Sequence, residues 1–184
     1  MKAPALIFCL SLFATTHAMA TETPDYKVIA KDGKFEVRDY PAMSVVRTTS
    51  GSGDFMRLFR YISGGNEGGQ KIAMTAPVLV QHEGEKPGMS FIVPRNVATT
   101  KIPAPEDVAV KVDNVASARF AVLRFSGGRN EENEKKALAS LRQQMEAKQL
   151  EPAGEPVFAY YDPPWIPGFM RRNEAMLRIV GSQP

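Results

Sequence analysis

The chain has 184 residues, 43% of them hydrophobic and 23% charged, with a formal net charge of +3. That is length for one domain with an ordinary core, and the two signs are interspersed, which argues against a nucleic-acid binder and its basic stripe. The one cysteine, Cys9, lies in the N-terminal apolar run, so the rest of the chain has neither a disulfide framework nor thiolate metal ligands.

Met1-Lys2 opens the chain, an apolar run from Ala3 to Ala14 follows, and Ala18-Met19-Ala20 closes it. This is the pattern of a secretory signal peptide, with cleavage expected after Ala20. The run is too short to span a bilayer comfortably. Cleavage would remove Cys9, one of the 23 basic residues and none of the 20 acidic ones. An exported, periplasmic protein is expected, soluble and without stable membrane insertion, with residues 21–184 as a single domain.

Phe35-Glu36-Val37-Arg38-Asp39-Tyr40 alternates and stops at Pro41, which predicts a strand and a turn. Met43 to Thr49 is β-branched and predicts a second strand. Ser50-Gly51-Ser52-Gly53 breaks it, and Asp54 is placed to cap a helix over residues 54–63. Phe55, Leu58, Phe59 and Ile62 fall at helical spacing and predict its inward stripe, with Met56 and Arg60 off it. After the glycine-rich turn Ser63–Gly69, Ile72, Met74, Ala76, Val78 and Val80 alternate, predicting a strand over 71–80 that bulges or lies at an edge at Pro77. Gln81 to Gly88 reads as a polar hairpin loop and Met89–Val93 as the returning strand. Val97–Asp107 reads as a surface connector.

The order then recurs. Strands are predicted over 108–112 and 119–125. A helix follows, capped by Asn130, with Glu131 and Glu132 in its first turn and Leu138, Leu141 and Met145 on its buried face. Strands over 156–161 and 174–180 complete the chain. Each half, about 26–95 and 106–181, is strand, strand, helix, strand, strand. Neither half alone has the apolar surface for a core. The expected fold is α+β: duplicated β-β-α-β-β units in a pseudo-symmetric antiparallel sheet or distorted barrel with two helices. The cleft between the halves is the natural place for a ligand.

Catalytic constellations are scarce. His82 is the sole histidine after Ala20 and reads as a solvated loop residue. No serine sits in an elbow motif, and Gly64–Gly69 lacks the Lys-Ser/Thr ending of a phosphate loop. Glu36, Asp39, Glu155 and Glu174 are candidate members of an acid pair, but each reads more simply as the polar face of a strand. The surplus is soft and apolar: Met43, Met56, Met74, Met89, Met170 and Met176 with Phe55 and Phe59. Met56 beside Arg60 would make an edge for a flat, apolar, anionic ligand.

Several motifs occur together. They are Phe35–Pro41, Gly64-Gly65-Asn66, Lys71-Ile72-Ala73-Met74-Thr75-Ala76-Pro77-Val78, Tyr161-Asp162-Pro163-Pro164-Trp165 and Arg171-Arg172-Asn173-Glu174. In this order the chain is similar to the SOUL haem-binding protein family, over about residues 25–181. The resemblance implies the duplicated fold argued above and non-catalytic binding of haem or another tetrapyrrole. It places the ligand in an apolar groove near the first helix, with basic groups at the propionates. Carried onto this chain, it points to Phe55, Met56, Phe59 and Arg60, with Lys71 as a further propionate partner. An axial histidine, used by some members, has only His82 as a counterpart, and His82 is not on the helix. The haem would then be non-covalent, held by packing and propionate contacts or through a sulfur such as that of Met56. Two alternatives stay open: a carrier of other flat or lipid-like molecules, and a hydrolase using a buried glutamate. A protein-interaction role would predict an exposed apolar patch beyond the cleft.

Overall fold

The computed structural model describes residues 21–48, 53–83 and 86–181. The expected signal peptide, the break at Ser50–Ser52 and the tip of the hairpin at 84–85 lie outside the described residues.

Among the described residues nine strands form one antiparallel sheet: β1 (Lys27–Asp32), β2 (Phe35–Tyr40), β3 (Met43–Thr48), β4 (Val78–Glu83), β5 (Lys86–Ile92), β6 (Val110–Val115), β7 (Ala118–Phe125), β8 (Pro152–Tyr160) and β9 (Asn173–Ile179). Among the described residues the helices are α1 (Asp54–Ile62), α2 (Arg95–Ala98) and α3 (Glu131–Ala147), with one 3-10 turn at Gly168–Met170. The spatial order is β1-β2-β7-β9-β8-β4-β5-β3-β6. The fold is therefore α+β, as expected, with a sheet that stays open instead of closing into a barrel.

The halves meet where β4 pairs with β8. On one side of that seam lie β4, β5 and β3, and on the other β8, β9 and β7. The first strand of each repeat crosses over: β6 pairs with β3, and β2 pairs with β7. Each half thus completes the other's sheet.

Strand alternation gives the sheet two faces. One carries Phe35, Val37, Val46, Val80, Phe91, Phe158 and Leu177, buried under both helices. Helix α1 packs on β3, β5 and β6, and α3 on β7, β8 and β9. The other face carries Tyr40, Val122, Ala159 and Met176, packed with Tyr26, Leu79, Phe120 and Val157. The expected cap of α3 is present: the Asn133 N–H donates to Asn130 Oδ1 at 2.8 Å. Leu141 and Met145 are buried beneath it and Leu138 partly so.

Five local expectations are corrected. Residues 71–77 are not strand; the ladder begins at Val78, after a cis Ala76–Pro77 bond. Side-chain hydrogen bonds hold this connection in an irregular path: Asn66 Nδ2 donates to the carbonyls of Tyr61 and Gln70, and Thr75 Oγ1 donates to the Ile92 carbonyl at 2.7 Å. The polar hairpin is mostly ladder, since β4 runs to Glu83 and β5 starts at Lys86; cross-strand pairing outweighs its polar composition. The 97–107 connector begins in the short helix α2, whose Val97 is buried. Strand β6 starts at Val110, leaving Val108 exposed. At α1, Gly53 in the left-handed region is the N-cap and Asp54 is the first helical residue. In addition, β1 carries no sequence signal, because all its residues are exposed and no periodic burial marks them.

Candidate functional site

Helix α1 is turned differently from its expected stripe. Its buried residues are Asp54, Leu58, Tyr61 and Ile62. Tyr61 takes the inward place because its hydroxyl reaches a partner, donating to the Pro103 carbonyl at 2.8 Å. Phe55 and Phe59, expected inward, are 42% and 44% exposed, and Met56 is 59% exposed. The two phenyl rings lie nearly parallel, 6.1 Å apart at 11°, and Phe55 also meets the edge of Phe91 at 5.4 Å. The outer side of α1 is thus an aromatic platform extended by a thioether.

Two arginines flank this platform. Arg57 is committed to Asp107 at 2.7 Å. Arg60 is exposed and forms no salt bridge of its own among the described residues, although its charge, after the Ala109 N–H bond and Arg57, helps hold the Asp107 carboxyl below its ordinary value. Its surroundings explain the Gly64-Gly65-Asn66 motif: Gly64 has φ +114°, and a Cβ on Gly65 would lie 3.0 Å from Arg60 Cγ and from the Arg60 carbonyl. The Ile72 N–H donates to the Ile62 carbonyl at 2.8 Å, which fixes exposed Lys71 just beyond the C-terminal end of α1. Phe55, Met56, Phe59 and Arg60 therefore share one helix, and Lys71 follows at its end.

His82 belongs elsewhere. It stands on β4, not in a loop, with Nε2 3.2 Å from Glu134 of α3 and its ring edge-on to Phe158. The Tyr160 hydroxyl donates to the same Glu134 carboxylate. Burial, followed by the hydrogen bond and charge of Glu134, pushes the Tyr160 hydroxyl far above its ordinary value.

The opposite face of the sheet holds a feature that strand-by-strand reading does not reach. Glu174 is fully buried, not on an exposed polar face. It accepts from Arg38 at 2.8 and 3.1 Å, from Arg172 at 2.7 Å and from the Tyr161 hydroxyl at 2.9 Å. Arg38 also binds Glu36 at 2.7 Å and Tyr40 at 3.0 Å, and it lies over the Tyr26 ring at 4.3 Å. Burial alone would raise the Glu174 carboxyl, but hydrogen bonds and charge from Arg38 and Arg172 outweigh it and hold the group below the ordinary carboxylate value. Burial pushes the Tyr40 hydroxyl up to about 12. The other candidate acids are not paired with one another: Asp39 binds Arg119 at 2.6 Å, Glu36 binds Lys31 and Arg38, and Glu155 is exposed. The only signal for the network is that Arg38 and Tyr40 lie in one motif and Arg172 and Glu174 in another.

A pH dependence follows from Glu174. Its folded value lies below the 4.5 of an unperturbed glutamate. Its contribution to stability is therefore complete above 4.5 and is lost as pH falls through the folded value. Thermal melts between pH 7 and pH 3 should show wild type losing more stability than Glu174→Gln below pH 4.5. Equal losses in the two proteins would refute this assignment.

On this face a cavity of about 130 Å³ is lined by Tyr40, Met43, Leu79, Phe120, Val157 and Met176 among others. A second, of about 420 Å³, lies where the 22–25 segment passes β3. Its Arg95 is bound to both Glu22 and Asp25, so the one cation at its edge is already engaged by two carboxylates.

Among solved structures the chain is similar to the EcmrR C-terminal domain, at 12% identity and TM-score 0.55, covering 84% of this chain and 97% of that one. It is also similar to two structures from Listeria innocua, each covering 82% of this chain and 94% of the other. One is described as a hydrolase (13% identity, TM-score 0.56) and one as an uncharacterized conserved protein (15%, 0.57). At these identities the likeness is one of fold. No curated protein matches the chain. Residues 21–178 match the family model described as SOUL heme-binding protein, and with nearly all of the described chain inside that match, the protein belongs to the SOUL heme-binding protein family.

Proposed function

We propose that this protein binds haem or a related tetrapyrrole, without catalysis, on the outer face of α1, and that it does so after export to the periplasm. One observation carries the reading. Phe55, Met56 and Phe59 stand uncovered side by side on a folded helix, next to an arginine that no ion pair ties down among the described residues. Water-facing aromatic groups of this size are a binding surface in waiting, because covering them removes apolar area from water. A tetrapyrrole matches the chemistry: a flat apolar ring for the Phe55–Phe59 platform and carboxylates for Arg60 and Lys71. The metal-ligating atom type on this face is the Met56 thioether; His82 is held at α3 by Glu134.

The non-catalytic reading is supported by the state of Glu174. A hydrolase using a buried glutamate as its acid would need that carboxyl poised to give up a proton near neutral pH. Glu174 is instead locked as a carboxylate between two arginines.

A hemin titration followed in the Soret region tests the proposal. A saturable shift at micromolar hemin is expected. Met56→Ala should move the band position if sulfur meets the iron, and His82→Ala should leave the spectrum unchanged. No saturable shift in the wild type would sink the reading. A second reading, carriage of a smaller apolar molecule, is favoured by the 130 Å³ cavity, whose size resembles cavities that take up benzene-sized guests. Native mass spectrometry of protein from its own host would distinguish the two by the mass retained.

A further inference from the structure

The connection from β8 to β9 exposes apolar groups that the proposed site does not use. Trp165 is 79% exposed, Phe169 81% and Met170 64%. From Pro163 to Met170 the sequence is Pro-Pro-Trp-Ile-Pro-Gly-Phe-Met, with no charged, hydroxyl or amide side chain. Nevertheless, this is an ordered loop. The Ile166 N–H donates to the Pro163 carbonyl, that of Met170 to Pro167, and that of Arg171 to Gly168. Arg171 turns its guanidinium back into the loop, onto the carbonyls of Ile166 and Pro164. The Gly127 N–H donates to the Gly168 carbonyl at 2.9 Å, and Asn173 Nδ2 donates to the Gly127 carbonyl at 3.0 Å, tying the loop to the turn before α3.

The backbone pattern distinguishes between partners. The carbonyls of Pro163, Pro164, Ile166, Pro167 and Gly168 all accept bonds from within the protein, and three residues of the loop are prolines with no N–H. A segment entering an apolar phase must satisfy its backbone polar groups internally. Five of the loop's carbonyls do so, while the Trp165 and Phe169 N–H groups donate to no partner among the described residues, which restricts the loop to shallow immersion at the interface. A tryptophan tip also suits the boundary between headgroups and acyl chains. Arg129 lies over the Tyr160 ring, beside the turn to which the loop is tied, and Arg171 lies within the loop on the Pro164 and Ile166 carbonyls. Neither is ion-paired with an acid among the described residues, and Asp162 at the start of the loop accepts from the Arg172 N–H. Arg129 and Arg171 are cations at the depth of lipid headgroups when the apolar tip is immersed.

We propose that the 163–170 loop is a membrane-docking element, inserting Trp165, Phe169 and Met170 shallowly into an anionic bilayer surface while Arg129 and Arg171 meet its headgroups. This is reversible surface attachment, not a span: no helix among the described residues is long and apolar enough to cross a membrane. It is independent of the haem reading, since α1 takes no part in it.

Trp165 is the sole tryptophan of the chain and reports on its own surroundings. The protein, free of haem, is mixed with phosphatidylglycerol/phosphatidylcholine vesicles and with phosphatidylcholine vesicles alone. A blue shift of Trp165 emission and reduced acrylamide quenching are expected with the anionic vesicles, and a weaker response with the neutral ones. Phe169→Ser/Met170→Ser should keep the wild-type melting temperature and lower vesicle partitioning by roughly tenfold or more, from the apolar area removed. Phe59→Ala should leave the response unchanged. Emission and quenching unaltered by either vesicle type would overturn the proposal and assign the patch to a protein partner. So would a Phe169→Ser/Met170→Ser variant that partitions like wild type.

Discussion

Glu174→Ala is expected to destabilise the fold by about 3–5 kcal/mol, the range for breaking a buried ion pair from one side. The reason lies in what the carboxylate leaves behind. Arg38, itself almost fully buried, loses its two-bond partner, and the Tyr161 hydroxyl loses its acceptor. Arg172 loses the charge that holds it across the Tyr161 ring at 3.9 Å. Glu36 remains on Arg38 and limits the damage. For a chain of this size the loss corresponds to a fall in melting temperature of roughly 10 °C. Glu174→Gln, which keeps the volume and some hydrogen bonds, should fall between wild type and Glu174→Ala. Urea unfolding of the three proteins checks the order, and a Glu174→Ala loss under about 1 kcal/mol would show that the network is not what anchors β9 to β2. If burial of an unpaired charge is the cause, the double variant Arg38→Met/Glu174→Leu should recover much of the loss.

Phe55→Ser/Phe59→Ser is expected to weaken hemin binding by roughly a hundredfold, because two stacked rings cease to offer apolar area to the ligand. Stability should fall less than for a core truncation, since both rings are over two-fifths exposed and forfeit only their stack on each other, the Phe55 contact with Phe91 and the partial burial of each. That asymmetry separates a binding surface from a core. Leu58, one residue before Phe59 and fully buried, should behave the opposite way: Leu58→Ala would lower stability by about 2–5 kcal/mol through the cavity it opens. Soret titrations beside thermal melts read both quantities. A Phe55→Ser/Phe59→Ser protein that binds hemin like wild type would remove the ligand from α1.

Much of the architecture is legible in the sequence because it is written in local period and punctuation. The β-branched run at Met43–Thr48, the alternation in Phe35–Tyr40 and the Asn130 cap each point to the element that forms. The departures have a common source. Helical spacing places Phe55 and Phe59 on one stripe with Leu58 and Ile62, but periodicity does not say which edge of that stripe the sheet covers. Tyr61 decides it, through a hydrogen bond to Pro103, 42 residues away. His82 escapes a sequence reading for a related reason: hairpin polarity says nothing about the carboxylate of Glu134, supplied by the other half.

The α+β class, the repeated order of elements and, through the motifs, the family are all properties of the amino-acid order alone. They depend on interactions between near neighbours or on patterns that survive without coordinates. Folding in three dimensions adds the rest: the halves exchange their first strands, Arg38 meets Glu174 across 136 residues, and α1 and the β8–β9 loop each leave aromatic side chains uncovered. Those outcomes are set by which surfaces are brought together when the chain closes on itself. A side chain's identity fixes what it can bond, but its exposure and its partner come from segments far away in sequence.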